Sequence, residues 1–176
     1  NKIAMKKYLV LALCLLILTV GHAQNYTEYF ANKTLRVDYI FTGDASCQNV
    51  CLDELSVLPS WAGRHQHLAE LPLQGNGQII MKDLESGKTV YTTSFSSLFQ
   101  EWLETDEAKV VSKGFENTFL LPYPLRPVEI EITLLSPRKE VRTCLKHTVR
   151  PDDVLIHQKG TAHITPHKYL LKSGET

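Results

Sequence analysis

The run Val128-Glu129-Ile130-Glu131-Ile132-Thr133-Leu134 alternates apolar and polar residues without a fault. In an extended chain successive side chains point to opposite faces, so this run has one face to bury and one to wet. It calls for an antiparallel sheet covered on one side, because strands of a doubly covered parallel sheet are apolar throughout. The same period recurs in Leu35, Val37, Tyr39 and Phe41, separated by Arg36, Asp38 and Ile40 and closed by Gly43 and Asp44. "GQIIMKDLESGKTVYTTSF" places two β-rich runs around the turn-forming Glu85-Ser86-Gly87-Lys88, which predicts a hairpin. Asn117–Leu121 reads as a strand stopped by Pro122, Pro124 and Pro127, residues that cannot donate to a ladder. After a turn at Ser136-Pro137-Arg138-Lys139 the chain returns through Val141–Val149, and "DDVLIHQKG" adds a short extended piece. The segment "CLDELSVLPSWAGRHQHLAELPLQGNG" shows no sustained period and is expected to be irregular, with at most one short strand or turn of helix.

One helix is predicted, in "SSLFQEWLETDEAK". Ser97 and Gln100 have the spacing of a capping box, and Leu98, Phe99, Trp102 and Leu103 form one apolar stripe. That stripe reads as core packing, or else as a contact to a ligand or another domain. Six or seven short antiparallel strands, one helix and no βαβ rhythm predict an all-β fold, a β-sandwich.

The chain starts with export features. Lys6 and Lys7 precede an apolar run from Tyr8 to Val20, and Gly21 and Ala23 supply small residues ahead of a cut between Ala23 and Gln24. The run is shorter than the roughly 20 residues of a membrane span, so 1–23 is read as a cleaved signal peptide, with residues 1–4 lying before Met5. The sandwich is assigned to 24–160, and 161–176, which loses pattern, to a linker into a further domain. Cleavage removes three lysines and no acid, leaving 16 basic against 19 acidic side chains. This balance makes no electrostatic case for nucleic acid or anionic membrane, both of which want a clustered basic face.

Export makes the cysteines candidates for chemistry. Cys47 and Cys51 are four apart, and Cys144 stands alone. The pair is open to three readings: a small disulfide staple, two uninvolved thiols, or part of a metal site, although zinc sites favour Cys-x-x-Cys and need further ligands. His65 and His67 would share a face on a strand, as zinc ligands do, but no third ligand is evident. His163 and His167 are separated by Pro166, which argues against a shared helical face. No His-Glu-x-x-His, Gly-x-Ser-x-Gly or Gly-x-x-x-x-Gly-Lys occurs. Asp38, Asp44, Asp53 and Glu54 could converge as acid and base, though spacing singles out no pair. No catalytic, metal or cofactor-binding residue is therefore assigned.

Five stretches together carry a family likeness: "KTLRVDYIFTGD", "LDEL…LPSWAGR…LAELPLQGNGQI", "YTTSFSSLFQEWL…DEA", "GFENTFLLPYP" and "KHTVRPDDVLIH". In this order, over roughly residues 27 to 172, the chain resembles the N-terminal domain of the M64 peptidases, secreted bacterial zinc metallopeptidases that include an immunoglobulin A-cleaving member. The resemblance implies an immunoglobulin-like sandwich that precedes a catalytic domain bearing a His-Glu-x-x-His zinc site. It implies export from a bacterium, zinc in that later domain and none in this chain, and two kinds of partner: the chain's own catalytic domain and the protein substrates of the full enzyme. The zinc ligands and catalytic glutamate of the family have no counterpart in these residues. The alternative reading is a free-standing exported sandwich that binds glycan or protein as an adhesin.

Overall fold

The structure is a computed structural model and describes residues 25–71 and 74–160. The expected cleavage point at Ala23 and Gln24, the expected linker 161–176, and His163 and His167 lie outside the described residues. A short helix, α1 (Tyr26–Tyr29), leads into β1 (Phe30–Gly43). There follow β2 (Gln48–Leu58), β3 (Gly77–Asp83), β4 (Thr89–Phe95), α2 (Leu98–Trp102), a single 3-10 turn at Glu107–Lys109, β5 (Lys113–Pro124), β6 (Val128–Leu135), β7 (Val141–Val149) and β8 (His157–Gln158). The strands form two four-stranded sheets, ordered β5-β1-β2-β8 and β4-β3-β6-β7, so the fold is the all-β sandwich that alternation predicts. In the first sheet β1 is paired on one side with β5 and on the other with β2; in the second β3 is paired with β4 and β6, and β7 lies at the edge beside β6.

The alternating runs face each other. Leu35, Val37, Tyr39 and Phe41 of β1 are fully buried, as are Ile79 and Met81 of β3 and Ile130, Ile132 and Leu134 of β6. Their polar partners lie on the outer faces, where Glu131 accepts from Lys82 at 3.2 Å and from Lys146 at 2.9 Å. At the β3–β4 hairpin Asp83 accepts from the Ser86 amide and hydroxyl, and Gly87 takes the positive φ of 68° that the turn requires.

Two expectations need correction. The first eight residues of the segment expected to be irregular, 51–58, complete an eleven-residue strand, β2, paired with β1 along its length. Its periodicity is hidden by a bulge: the register steps from Asp38–Glu54 to Tyr39–Leu52, so Asp53 has no opposite residue and the inward phase changes from Val50 to Val57. The prolines do not stop β5, either. Pro122 and Pro124 stand opposite Thr34 and Phe30 within the strand. β5 lies at a sheet edge, the one place where residues lacking an N–H fit a ladder.

The predicted helix is also shorter than its pattern, with α2 stopping at Trp102. Ser97 caps it, accepting from the Gln100 amide at 3.4 Å and donating to the Gln100 side chain at 3.0 Å. While its side-chain oxygen accepts from the cap, the Gln100 amide nitrogen donates to the carbonyls of Asn76 and Leu135, which ties α2 to β3 and β6. α1 was not foreseen.

Candidate functional site

The strands run between two ends of the sandwich, and each end gathers aromatic rings in a different chemical setting. At the end where β1 finishes, Phe41 lies 5.9–6.2 Å from Phe95, Phe99 and Phe119, and Phe95 stands 4.5 Å from Phe119. Trp102 covers Phe99 and Phe115 at 6.0 and 5.5 Å, donates its indole N–H to Glu107 at 2.8 Å, and carries Lys113 over its ring. The predicted stripe divides here. Phe99 and Leu103 are buried and Trp102 is half-buried, whereas Leu98 departs from the stripe and is 72% exposed.

At the end where β1 starts, rings alternate with cations and hydroxyls. Tyr29 has Lys88 on one contact and Arg126 on another, each cation 5.4 Å from its ring. Tyr26 donates its hydroxyl to Ala31 O at 2.8 Å, and burial pushes its pKa up to about 12, so it stays a donor. His65 stacks on Tyr26 at 4.2 Å. Arg64 lies over Tyr91, and its guanidinium donates to the carbonyls of Glu70, Leu68 and Thr92, pinning the β2–β3 loop to β4. Between Asp83, Leu84, Glu85, Arg126 and Pro127 a shallow cleft of about 470 Å³ opens to solvent.

Of the histidines and carboxylates weighed from the sequence, His65, His67, Asp38, Asp44 and Glu54 each have their own partners. His65 and His67 sit in a loop, not on a strand, and separate: His65 stacks on Tyr26, while His67, with φ 53°, pairs with Glu70 at 2.9 Å. Asp38 and Glu54 do stand opposite each other across β1 and β2, but each is occupied by cations. Desolvation would raise Asp38, yet hydrogen bonds from Thr118 and Arg36 outweigh it and hold the carboxyl below its usual value. Lys159 first, with His157, holds Glu54 low. Asp44 is held low by Ser46, Ser112 and the Cys47 amide, and serves as the cap of the β1–β2 turn. Asp53 is exposed at the bulge. Among the described residues no group of three or more His, Cys, Asp or Glu is placed to hold a metal ion.

Cys47, Cys51 and Cys144 are free and exposed. From Gln48 onward the chain between Cys47 and Cys51 is extended. Four extended residues span about 13 Å, well beyond the roughly 7 Å between Cα atoms that a disulfide tolerates. The staple reading of this pair does not match the strand geometry.

One buried polar pair escaped the sequence reading. Tyr39 of β1 and His147 of β7 meet between the sheets, hydroxyl to Nε2 at 2.7 Å, and His147 Nδ1 is buried without a partner. Desolvation lowers the His147 pKa and raises that of Tyr39. A neutral imidazole suits this place, because a proton on both nitrogens would leave one N–H unanswered.

A family model described as peptidase M64 N-terminus matches residues 25–146, a span that takes in β1 to β6 and most of β7. None of the curated proteins matches the chain. Among the described residues no helix is long and apolar enough to cross a membrane.

Proposed function

The chain belongs to the peptidase M64 N-terminus family, and from that premise we propose that it is the exported, non-catalytic sandwich of a zinc metallopeptidase, which supports and orients a catalytic domain encoded after it. The observation that carries this reading is the family match across 25–146, joined to a sandwich in which Asp38, Asp44 and Glu54 are each engaged in structural bonds. A module of this kind acts through rigidity. Its buried rows hold two sheets in fixed relation, and α2 and the Arg64-pinned loop close its flanks. The zinc and the chemistry it supplies, a water activated at neutral pH, belong to the following domain in this proposal. Export through the segment 1–23 belongs to the same proposal.

Reading the coding sequence past Thr176 tests it first. A His-Glu-x-x-His in the same frame supports the peptidase reading, and a stop codon shortly after Thr176 favours a free-standing binding sandwich. The second arm compares peptidase activity of the full chain with that of a chain lacking residues 25–160. A supporting module predicts activity or solubility lost with the deletion; full activity without it would overturn the supporting role.

A further inference from the structure

We infer that the catalytic domain docks on the end of the sandwich where the chain enters and leaves, over Leu84, Leu125, Arg126, Val154 and Leu155. This rests on the reading above that a peptidase domain follows. α1 leads into the start of β1, and β8 runs parallel to β2 toward that same end, so the described chain both begins and finishes there. Leu84 and Leu125 are 43% and 50% exposed, and Val154 and Leu155 are 92% and 72% exposed.

These apolar side chains are held on anchored backbone. The Leu125 amide donates to Tyr29 O at 2.8 Å and the Leu84 amide to Pro127 O at 3.0 Å. Arg126 donates to Glu28 O at 3.2 Å while lying over Tyr29. Tyr123 donates to Pro151 O at 2.8 Å, Asp153 accepts from the Leu155 amide at 2.9 Å, and Ile156 beside it is buried. The loop therefore presents Val154 and Leu155 outward from a fixed base. Apolar groups on pre-ordered loops bind with little ordering cost, and leucines mixed with Arg126 and Glu85 suit an interface between domains.

The opposite end also exposes apolar groups, Leu98 and Val110 at 72% and 82%. Distance from the tether decides between them. The fourteen residues of β1 span on the order of 40 Å, and a tethered partner's effective concentration is greatest near its attachment point.

The test uses the full chain with its continuation and two double variants, Leu125→Asp with Leu155→Asp, and Leu98→Asp with Val110→Asp. All four side chains are exposed, so circular dichroism should be unchanged; if the first pair disturbs folding, Leu125→Ser with Leu155→Ser replaces it. The readout is trypsin cleavage at Lys168 and Lys172, which follow the last described residue. Docking at the tethered end predicts cleavage faster by about fivefold or more in the first pair and unchanged in the second. No acceleration in the first pair, or equal acceleration in both, overturns the inference and leaves the peptidase reading standing. A continuation without the zinc motif overturns both.

Discussion

The two ends of this sandwich use aromatic rings for different purposes. Around Phe41, rings meet rings: Phe95, Phe99, Phe115, Phe119 and Trp102 form a continuous apolar plug, closed by a helix only five residues long. Around Tyr29 and Tyr91, rings meet cations and carbonyls, with Arg64, Lys88 and Arg126 as the binding elements. The first end gains stability from area removed from water, which no single hydrogen bond controls. The second depends on charged forks whose geometry has to be kept. A helix too short to persist alone can close the plug because its buried residues and Gln100 fix it from the inside.

Substitutions can break this contrast. The largest effect belongs to the plug: Phe99→Ala should destabilise by about 3–5 kcal/mol, since it empties a fully buried site. Chemical denaturation measures this, and a loss below about 1 kcal/mol would show that the plug is not core. At the other end Arg64→Ala should cost about 2–3 kcal/mol by leaving three carbonyls without their charged donor. Arg64→Lys should recover less than half of that, because an ammonium cannot reproduce the fork. Equal stability of the Lys variant and the parent would remove the geometric argument.

Trp102→Ala should cost about 2 kcal/mol, less than Phe99→Ala, because Trp102 is half-buried and retains solvent on one face. Leu98→Ala, one turn earlier, should stay within about 0.5 kcal/mol. The smallest effect is a pH dependence. The folded state lowers the His147 pKa, so the unfolded chain takes up a proton first as pH falls. Stability from this residue is present above the ordinary histidine value of about 6.5 and is lost as pH falls through the lower folded pKa. The parent should thus be more stable at neutral pH than just below the histidine range, and His147→Phe should flatten that difference. An unchanged slope in the variant would assign it to other groups.

Much of the fold was legible because alternation reports one buried face directly. β3 alternates throughout and β1 and β6 do so over most of their length, and these strands, with β4 and β7, were read in place. β2 was missed because a bulge at Asp53 reverses its phase halfway, which in sequence looks like no period at all. β5 was cut short because proline excludes only interior strands, and edge position is a tertiary fact. The stripe of α2 was overdrawn at Leu98, since a helix of five residues turns Phe99 and Gln100 inward and leaves Leu98 outside. Arg64, Tyr29 and Arg126 carried no local signal. Each has a partner 28, 59 or 98 residues away, which only packing brings near.

The central claim is that the chain-bearing end, not the aromatic plug, faces the catalytic domain. Photo-crosslinking tests it most directly, with a benzophenone amino acid placed at Leu125 in one full-length sample and at Leu98 in another, followed by peptide mass spectrometry. The account predicts that position 125 crosslinks within the chain to peptides beyond residue 176 while position 98 does not. Crosslinks to that region from position 98 alone would contradict it.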